Sequence, residues 1–330
     1  MNVLLASDDN YAPLLGVTIY SLLKNNASEF NKINILILDG GISETRKAKI
    51  ESICDEFTDK ITLTFIKYDN IEEIIGVTLN ATRPLATYAR LLICSLLDEN
   101  IDKILYLDCD ALVVDSLKEL WNTDISNYPC GAVLDAGPPY INTFLNFPKN
   151  HEHYNAGLLL INLKLWREEN LESQFIDYII SRNGNVFHND QGVINVICEN
   201  RILKLKPNYN ILSPFFEVGY DKVMQWYGQK NYYSKELVDD ALENPVFIHL
   251  TQFVHGRPWF TNAENHPLRE LFDSYVEKTP FKDEIYIKDN RHFKGKLLSF
   301  LYKILPYSLI CDLFNVYRIY LNRSRGRQYR

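Results

Sequence analysis

With 330 residues, 46% of them hydrophobic and only 14 Gly and 13 Pro, the chain can build one large domain or two ordinary ones; it is neither disordered nor collagenous. Its 35 Lys and Arg against 42 Asp and Glu leave a net charge of −7, which excludes a surface built as a whole for nucleic-acid phosphates. The average hides an asymmetry, because residues 291–330 hold nine basic residues and a single acid, Asp312.

The first apolar run, Val3 to Ala6, predicts a strand, and it leads directly into Asp8, Asp9 and Asn10. Helical spacing follows from Pro13 to Leu23. Further strands are expected at Ile33 to Leu38, Ile61 to Tyr68, Lys103 to Leu107, Gly131 to Asp135 and Leu158 to Leu163. Between and after them, helices are expected at Glu44 to Phe57, Thr87 to Leu97, Leu165 to Ile180 and Gln191 to Glu199. The alternation predicts an α/β fold with a mainly parallel sheet flanked by helices. Near residue 262 the pattern turns helical and then basic, so residues 1–262 are expected to form the main domain and residues 263–330 a small helical C-terminal extension.

From Leu297 to Tyr320, Leu, Phe, Tyr and Ile alternate with Lys and Arg, and Pro306 is expected to separate two short helices. This composition suits a helix lying in a membrane interface, with its basic residues against anionic headgroups. The alternative is that the apolar residues dock on the body of the protein. No run of about 18 apolar residues occurs, so no membrane-crossing helix is expected. Met1 to Asp9 lacks the basic start of a signal peptide, and the six cysteines are scattered singly, as suits reduced thiols. The expected location is the cytoplasm, peripheral at the inner face of the cytoplasmic membrane.

No GxGxxG follows a strand and no GxxxxGK[ST] occurs, which removes the common dinucleotide and P-loop signatures. Ligands of parallel sheets gather beyond the carboxyl ends of strands, which directs attention to Asp108 and Asp110 after the strand Lys103 to Leu107. In extended chain, residues i and i+2 share a side, so these carboxylates can face one hard cation while Cys109 faces away. The other reading makes one aspartate a cap for a helix at Ser116 to Trp121 and leaves the other solvated.

Several blocks occur in order: ASDDNY (6–11), ILDGGIS (37–43), TYARL (87–91), YLDCDALV (106–113), YNAGLLLINLKLWR (154–167), NDQGVIN (189–195) and a segment from His249 to Trp259. Over roughly residues 1–260 the chain resembles a family 8 glycosyltransferase, the retaining group with the GT-A nucleotide-diphospho-sugar transferase fold, typified by bacterial lipooligosaccharide galactosyltransferases. The resemblance implies a UDP-sugar donor and an oligosaccharide or lipid-linked glycan acceptor. It also implies a Mn²⁺ cofactor, with Mg²⁺ as the other hard cation, held by Asp108, Asp110 and His249.

By the same resemblance, Ala6, Asp8, Asn10 and Cys109 would meet the nucleotide, and Arg90, Asn155, Ala156, Asp190 and Gln191 the sugar. Asp190 and Gln191 would serve the reacting face, where a carboxylate or amide oxygen can stabilise developing positive charge. The bare residues also allow Asp8 to Asn10, and likewise Asp190, to be helix caps. The family's HxxGxxKPW segment reads HLTQFVHGRPW here, two residues longer, with Arg257 in the lysine's place and Gly256 beside it as further nucleotide contacts. The implied function is transfer of galactose or glucose to a glycan, in lipopolysaccharide or other cell-surface polysaccharide biosynthesis. The sequence also allows two other readings: a catalytically silent GT-A membrane-associated binding module, and another nucleotide-sugar enzyme such as a nucleotidyltransferase.

Overall fold

The computed structural model describes every residue except 58, 59, 69, 81–84 and 313–330. A seven-stranded sheet is built from β1 (Asn2–Ser7), β2 (Ile33–Asp39), β3 (Ile61–Lys67), β4 (Lys103–Leu107), β6 (Cys130–Leu134), β7 (Tyr154–Asn162) and β8 (Ile202–Lys204). A smaller sheet holds β5 (Ala111–Val113), β9 (Ile211–Leu212) and β10 (Phe247–His249). The large sheet runs β3-β2-β1-β4-β7-β6-β8, and β7 alone is antiparallel to its neighbours.

Helices cover both faces, so strand residues are apolar on both sides, as in buried parallel sheets. Along β1, Val3 and Leu5 join one buried cluster while Leu4 joins the other, the period of two that a strand imposes. The reversal of β7 matters for function. It brings the beginning of that strand, Tyr154 to Gly157, to the same edge of the sheet as the ends of β1, β4 and β6.

All six expected strands form, and the expected α/β class holds. Two expected helices differ. The segment after Leu85 is a 3₁₀ helix, Leu85–Leu92, followed by one α-turn, Ile93–Leu96. The helix expected from Leu165 to Ile180 is broken into Leu163–Glu168 and Leu171–Ser181 by Asn170 at φ 53, a left-handed conformation that Asn tolerates better than most residues.

Beyond residue 262, the helix Arg269–Val276 packs on the helix Ala12–Asn26, where Asn25 donates to the Tyr275 hydroxyl at 3.1 Å. A further helix spans Phe293–Ile304, and helical turns resume at Tyr307 after Pro306. Leu298, Leu301, Tyr302 and Leu305 pack on Trp226, Phe253 and Val254 of the body. The remainder of the stretch expected to be helical to Tyr320 lies outside the described residues. No helix among the described residues is long and apolar enough to cross a membrane.

Candidate active site

The end of β4 carries Tyr106, Asp108 and Asp110. Backbone pairing fixes this turn: Asp108 donates its N–H to the Gly157 carbonyl at 2.8 Å, and Leu250 donates to the Asp110 carbonyl at 2.9 Å. From behind, the buried Thr18 hydroxyl lies 2.7 Å from the Cys109 carbonyl and 2.9 Å from that of Ala111. The Cys109 thiol turns away from the carboxylates toward β1, 3.1 Å from the Ala6 carbonyl, and burial pushes its pKa well up.

Pairing of β5 with β10 sets His249 opposite Ala111, and its Nε2 lies 3.2 Å from Asp110 and 3.7 Å from Asp108. The three ligand atoms lie within 4.8 Å of one another. Two carboxylates and one imidazole suit Mn²⁺ better than Mg²⁺, which prefers oxygen alone. These residues fit the cation that the sequence implies. Arg257 donates to Asp110 at 2.7 Å and to the Leu250 carbonyl. Burial opposes ionisation of Asp110, but Arg257 and His249 outweigh it and hold the carboxyl well below the usual range.

His249 has space for its ring only because residue 157 is glycine: an added Cβ would sit 2.4 Å from two ring atoms. Gly157→Ala is therefore expected to displace His249 and weaken Mn²⁺ binding about 10- to 100-fold, measured by calorimetric titration. Unchanged affinity would contradict this packing role.

Arg90 is buried and joins the parts of the site. Its guanidinium bonds Asp108 at 2.8 Å, Asp190 at 3.1 Å and the Ala156 carbonyl at 2.6 Å, and lies 3.9 Å over the Tyr106 ring. Asp190 stands in the first turn of the helix Asn189–Ile197, so it acts as an ion-pair partner and is not the N-cap residue. Gln191 accepts from the Ala156 N–H at 3.1 Å and donates to Asp135 at 2.7 Å. Asn155 donates to Asp135 at 3.2 Å and accepts from Gly157 at 2.9 Å and from Asn210 at 2.8 Å.

Two clefts meet at this point. One, beside the end of β1, is lined by Ala6, Asp8, Tyr11, Thr87, Arg90 and Cys109, among others. The other, about 490 Å³, is lined by Asp135, Asn155, Asp190, Gln191, His249 and Arg257, among others. Asp108, Asp110, Thr87 and Arg90 line both.

Of the sequence-singled residues, Asn10 is exposed and lines neither cleft. Asp8 lines the first cleft and also accepts the Tyr11 N–H at 3.0 Å, a turn that leads into the helix Ala12–Asn26. Gly256, at φ +90, makes the turn that delivers Arg257, with Phe260 and Arg291 against it, and lines neither cleft.

Sequence reasoning missed Asp135, His153 and His188. Asp135 was within reach, since it ends an expected strand. Burial and the neighbouring His188 push His153 down to about 3, so its ring is neutral in the fold. The unfolded chain binds the extra proton below about 6.5, so this contribution to stability is present above that pH and is lost progressively toward 3. Between pH 6.5 and 5, denaturant midpoints of the wild type are expected to fall more steeply than those of His153→Gln. Parallel slopes would remove the assignment.

Residues 2–263 match the family model described as Glycosyl transferase family 8. The chain belongs to glycosyl transferase family 8. The transferase is 30% identical to general stress protein A of Bacillus subtilis over 84% of its own length and 94% of that protein's. It is 25% identical to lipopolysaccharide 1,2-glucosyltransferase of Escherichia coli K12, over 86% of its length and 80% of that protein's. Among solved structures it is similar to the galactosyltransferase LgtC in complex with donor and acceptor sugar analogues, at 26% identity with a TM-score of 0.68, covering 85% of this chain and 96% of that one. The fold is the GT-A glycosyltransferase fold, with the acidic turn at the meeting point of the transferase's two clefts.

Proposed function

We propose that this transferase moves a hexose, galactose or glucose, from a UDP-sugar to a glycan acceptor with retention of the α configuration, in lipopolysaccharide or other cell-surface polysaccharide biosynthesis. Residues 1–262 form the catalytic unit, and the described part of the chain beyond them is a helical extension that packs on it. The observation that carries the reading is the meeting of two clefts at one acidic turn. An elongated ligand lying across it has a nucleoside at one end, a sugar at the other and a charged middle beside Asp108, Asp110, His249 and Arg257. The similarity to a lipopolysaccharide glucosyltransferase supports the acceptor class.

When bound by Asp108, Asp110 and His249, Mn²⁺ supplies Lewis-acid stabilisation of the diphosphate. The chain's own residues do the rest. Arg90 fixes Asp190 and Asp108 in one arrangement, so the carboxylate under the sugar is preorganised. Gln191 is a neutral amide whose oxygen is held by the Ala156 N–H, which suits a dipole stabilising oxocarbenium charge better than an attacking nucleophile. The bond from C1 to the acceptor oxygen then forms on the face where the C1–phosphate bond breaks, and the departing phosphate oxygen takes the acceptor's proton. UDP release from a panel of UDP-sugars tests the reading: Mn²⁺-dependent release from UDP-galactose or UDP-glucose is expected, and release from none, even with glycan acceptors present, would overturn it.

The reading extends to the tail. Phe293, Leu297, Phe300 and Ile304 recur at spacings of four, three and four, which places them on one helical face, and all four are exposed. Exposed Lys294, Lys296 and Lys303 accompany them. One face of this helix docks on the body, and we assign the other to an anionic membrane at the cytoplasmic side, where lipid-linked acceptors would be met. The full-length protein is expected to sediment with anionic vesicles at moderate ionic strength, and Phe300→Asp to weaken this about 10- to 100-fold. Protein remaining in the supernatant would contradict membrane docking.

A further inference from the structure

Next to the acidic turn lies a second cluster that the transfer reaction does not account for. Asp135, His153 and His188 present one carboxylate oxygen and two imidazole nitrogens within 4.8 Å of one another. His153 Nε2 and His188 Nδ1 are 3.3 Å apart. A tetrahedral ion with Zn–N bonds of about 2.0–2.1 Å has ligand nitrogens about 3.3–3.4 Å apart, so the two rings already stand at the edge length of such a site.

Backbone pairing and a turn position the three residues. Asp135 follows β6 and His153 precedes β7, and the Asp135 N–H donates to the His153 carbonyl at 2.7 Å. His188, at φ 65, is fixed at the turn that opens the helix Asn189–Ile197. His153 is 7% exposed, so its ring is held inside the fold beside Asp135 and His188.

Gln191 supplies a second observation. Its Nε2 lies 2.7 Å from Asp135, 3.0 Å from His153 and 3.0 Å from His188. One amide nitrogen carries two protons and here faces three ligand atoms, so the group stands where a common partner of the triad belongs. An amide nitrogen that donates cannot bind a metal, whereas the amide oxygen can. Metal entry therefore requires Gln191 to turn its oxygen inward or to leave, and either movement breaks its 3.1 Å bond from the Ala156 N–H.

We propose that Asp135, His153 and His188 form a second, inhibitory divalent-metal site of the Zn²⁺ type, separate from the Asp108–Asp110–His249 site, whose occupancy withdraws Gln191 and Asp135 from the sugar cleft. The donor sets explain the division. Two imidazoles and one carboxylate favour Zn²⁺ or Co²⁺, while two carboxylates and one imidazole accept Mn²⁺. The metal-binding part goes beyond the transferase reading and stands without it; the inhibitory part rests on that reading.

Co²⁺ is the direct probe, because tetrahedral Co²⁺ with nitrogen ligands absorbs strongly in the visible. Protein carrying Asp110→Asn, which disables the first site, is expected to take up one Co²⁺ with this absorption and to release it when Zn²⁺ is added. Adding His153→Gln to that protein is expected to weaken Co²⁺ binding at least about 10-fold. Wild-type protein preloaded with Mn²⁺ and UDP gives the same titration should Asp110→Asn fail to fold. Absence of the absorption, or an unchanged Co²⁺ affinity in the His153→Gln protein, overturns the site. In turnover assays, Zn²⁺ is expected to inhibit in a way that excess Mn²⁺ does not relieve. Full relief by Mn²⁺ would place the inhibition at the first site and overturn the regulatory role.

Discussion

Asp110→Asn is expected to lower UDP-sugar turnover at least about 100-fold while leaving the fold intact. The substitution keeps the shape of the side chain and removes its charge. That charge is ordinarily secured against burial by Arg257 at 2.7 Å and His249 at 3.2 Å, and Asp110 stays ionised across any ordinary assay pH. An amide offers a weaker metal ligand and no counter-charge for Arg257. The loss is therefore expected in kcat and in Mn²⁺ affinity together, with the circular dichroism spectrum unchanged. Activity near the wild-type level at saturating Mn²⁺ would remove Asp110 from the metal site.

Arg90→Met is expected to be the more damaging change, because it acts on stability as well as on turnover. The Arg90 side chain is nearly fully buried and is shared by Asp108, Asp190 and the Ala156 carbonyl. Burial alone would favour its neutral form, but the two carboxylates reverse this and keep it charged. Methionine fills similar volume and leaves both acids without their cation, a loss of about 3–5 kcal/mol by analogy with other broken buried pairs. Urea denaturation of the two proteins measures it. A loss below about 1 kcal/mol would mean that water compensates these carboxylates and that Arg90 is not their organiser.

The sequence and the structure agree most closely where one short segment contains its own explanation. The strand ending in Tyr106 to Asp110 could be read directly, since an apolar run stops at two acids spaced to share a side. The same logic identified Asp8 after β1 and would have reached Asp135 after β6. His249 is different. It enters the site through β5 and β10, strands of three residues whose antiparallel pairing leaves almost no local periodicity, so only resemblance pointed to it.

Asn155 and Ala156 reach the cleft because β7 runs against its neighbours, and strand direction is set by the whole sheet, not by residues 154–162. The 3₁₀ helix that presents Arg90 and the break at Asn170 escaped for a related reason: apolar spacing was read as continuous helix where tertiary contacts choose tighter or interrupted turns. The tail posed a choice between docking on the body and facing a membrane. The helix Phe293–Ile304 carries apolar residues on two faces, one against Trp226 and Phe253 and one exposed, so docking on the body leaves the second face free for the proposed membrane role.

The measurement that bears most directly on the active-site assignment is calorimetric titration of the wild-type protein with UDP, in Mn²⁺ and again in EDTA. The shared position of Asp108 and Asp110 between the two clefts predicts saturable binding of one UDP with Mn²⁺ and a loss of at least about 10-fold in affinity without it. Equal affinity in EDTA, or no binding under either condition, would contradict a metal-bridged nucleotide site at this turn.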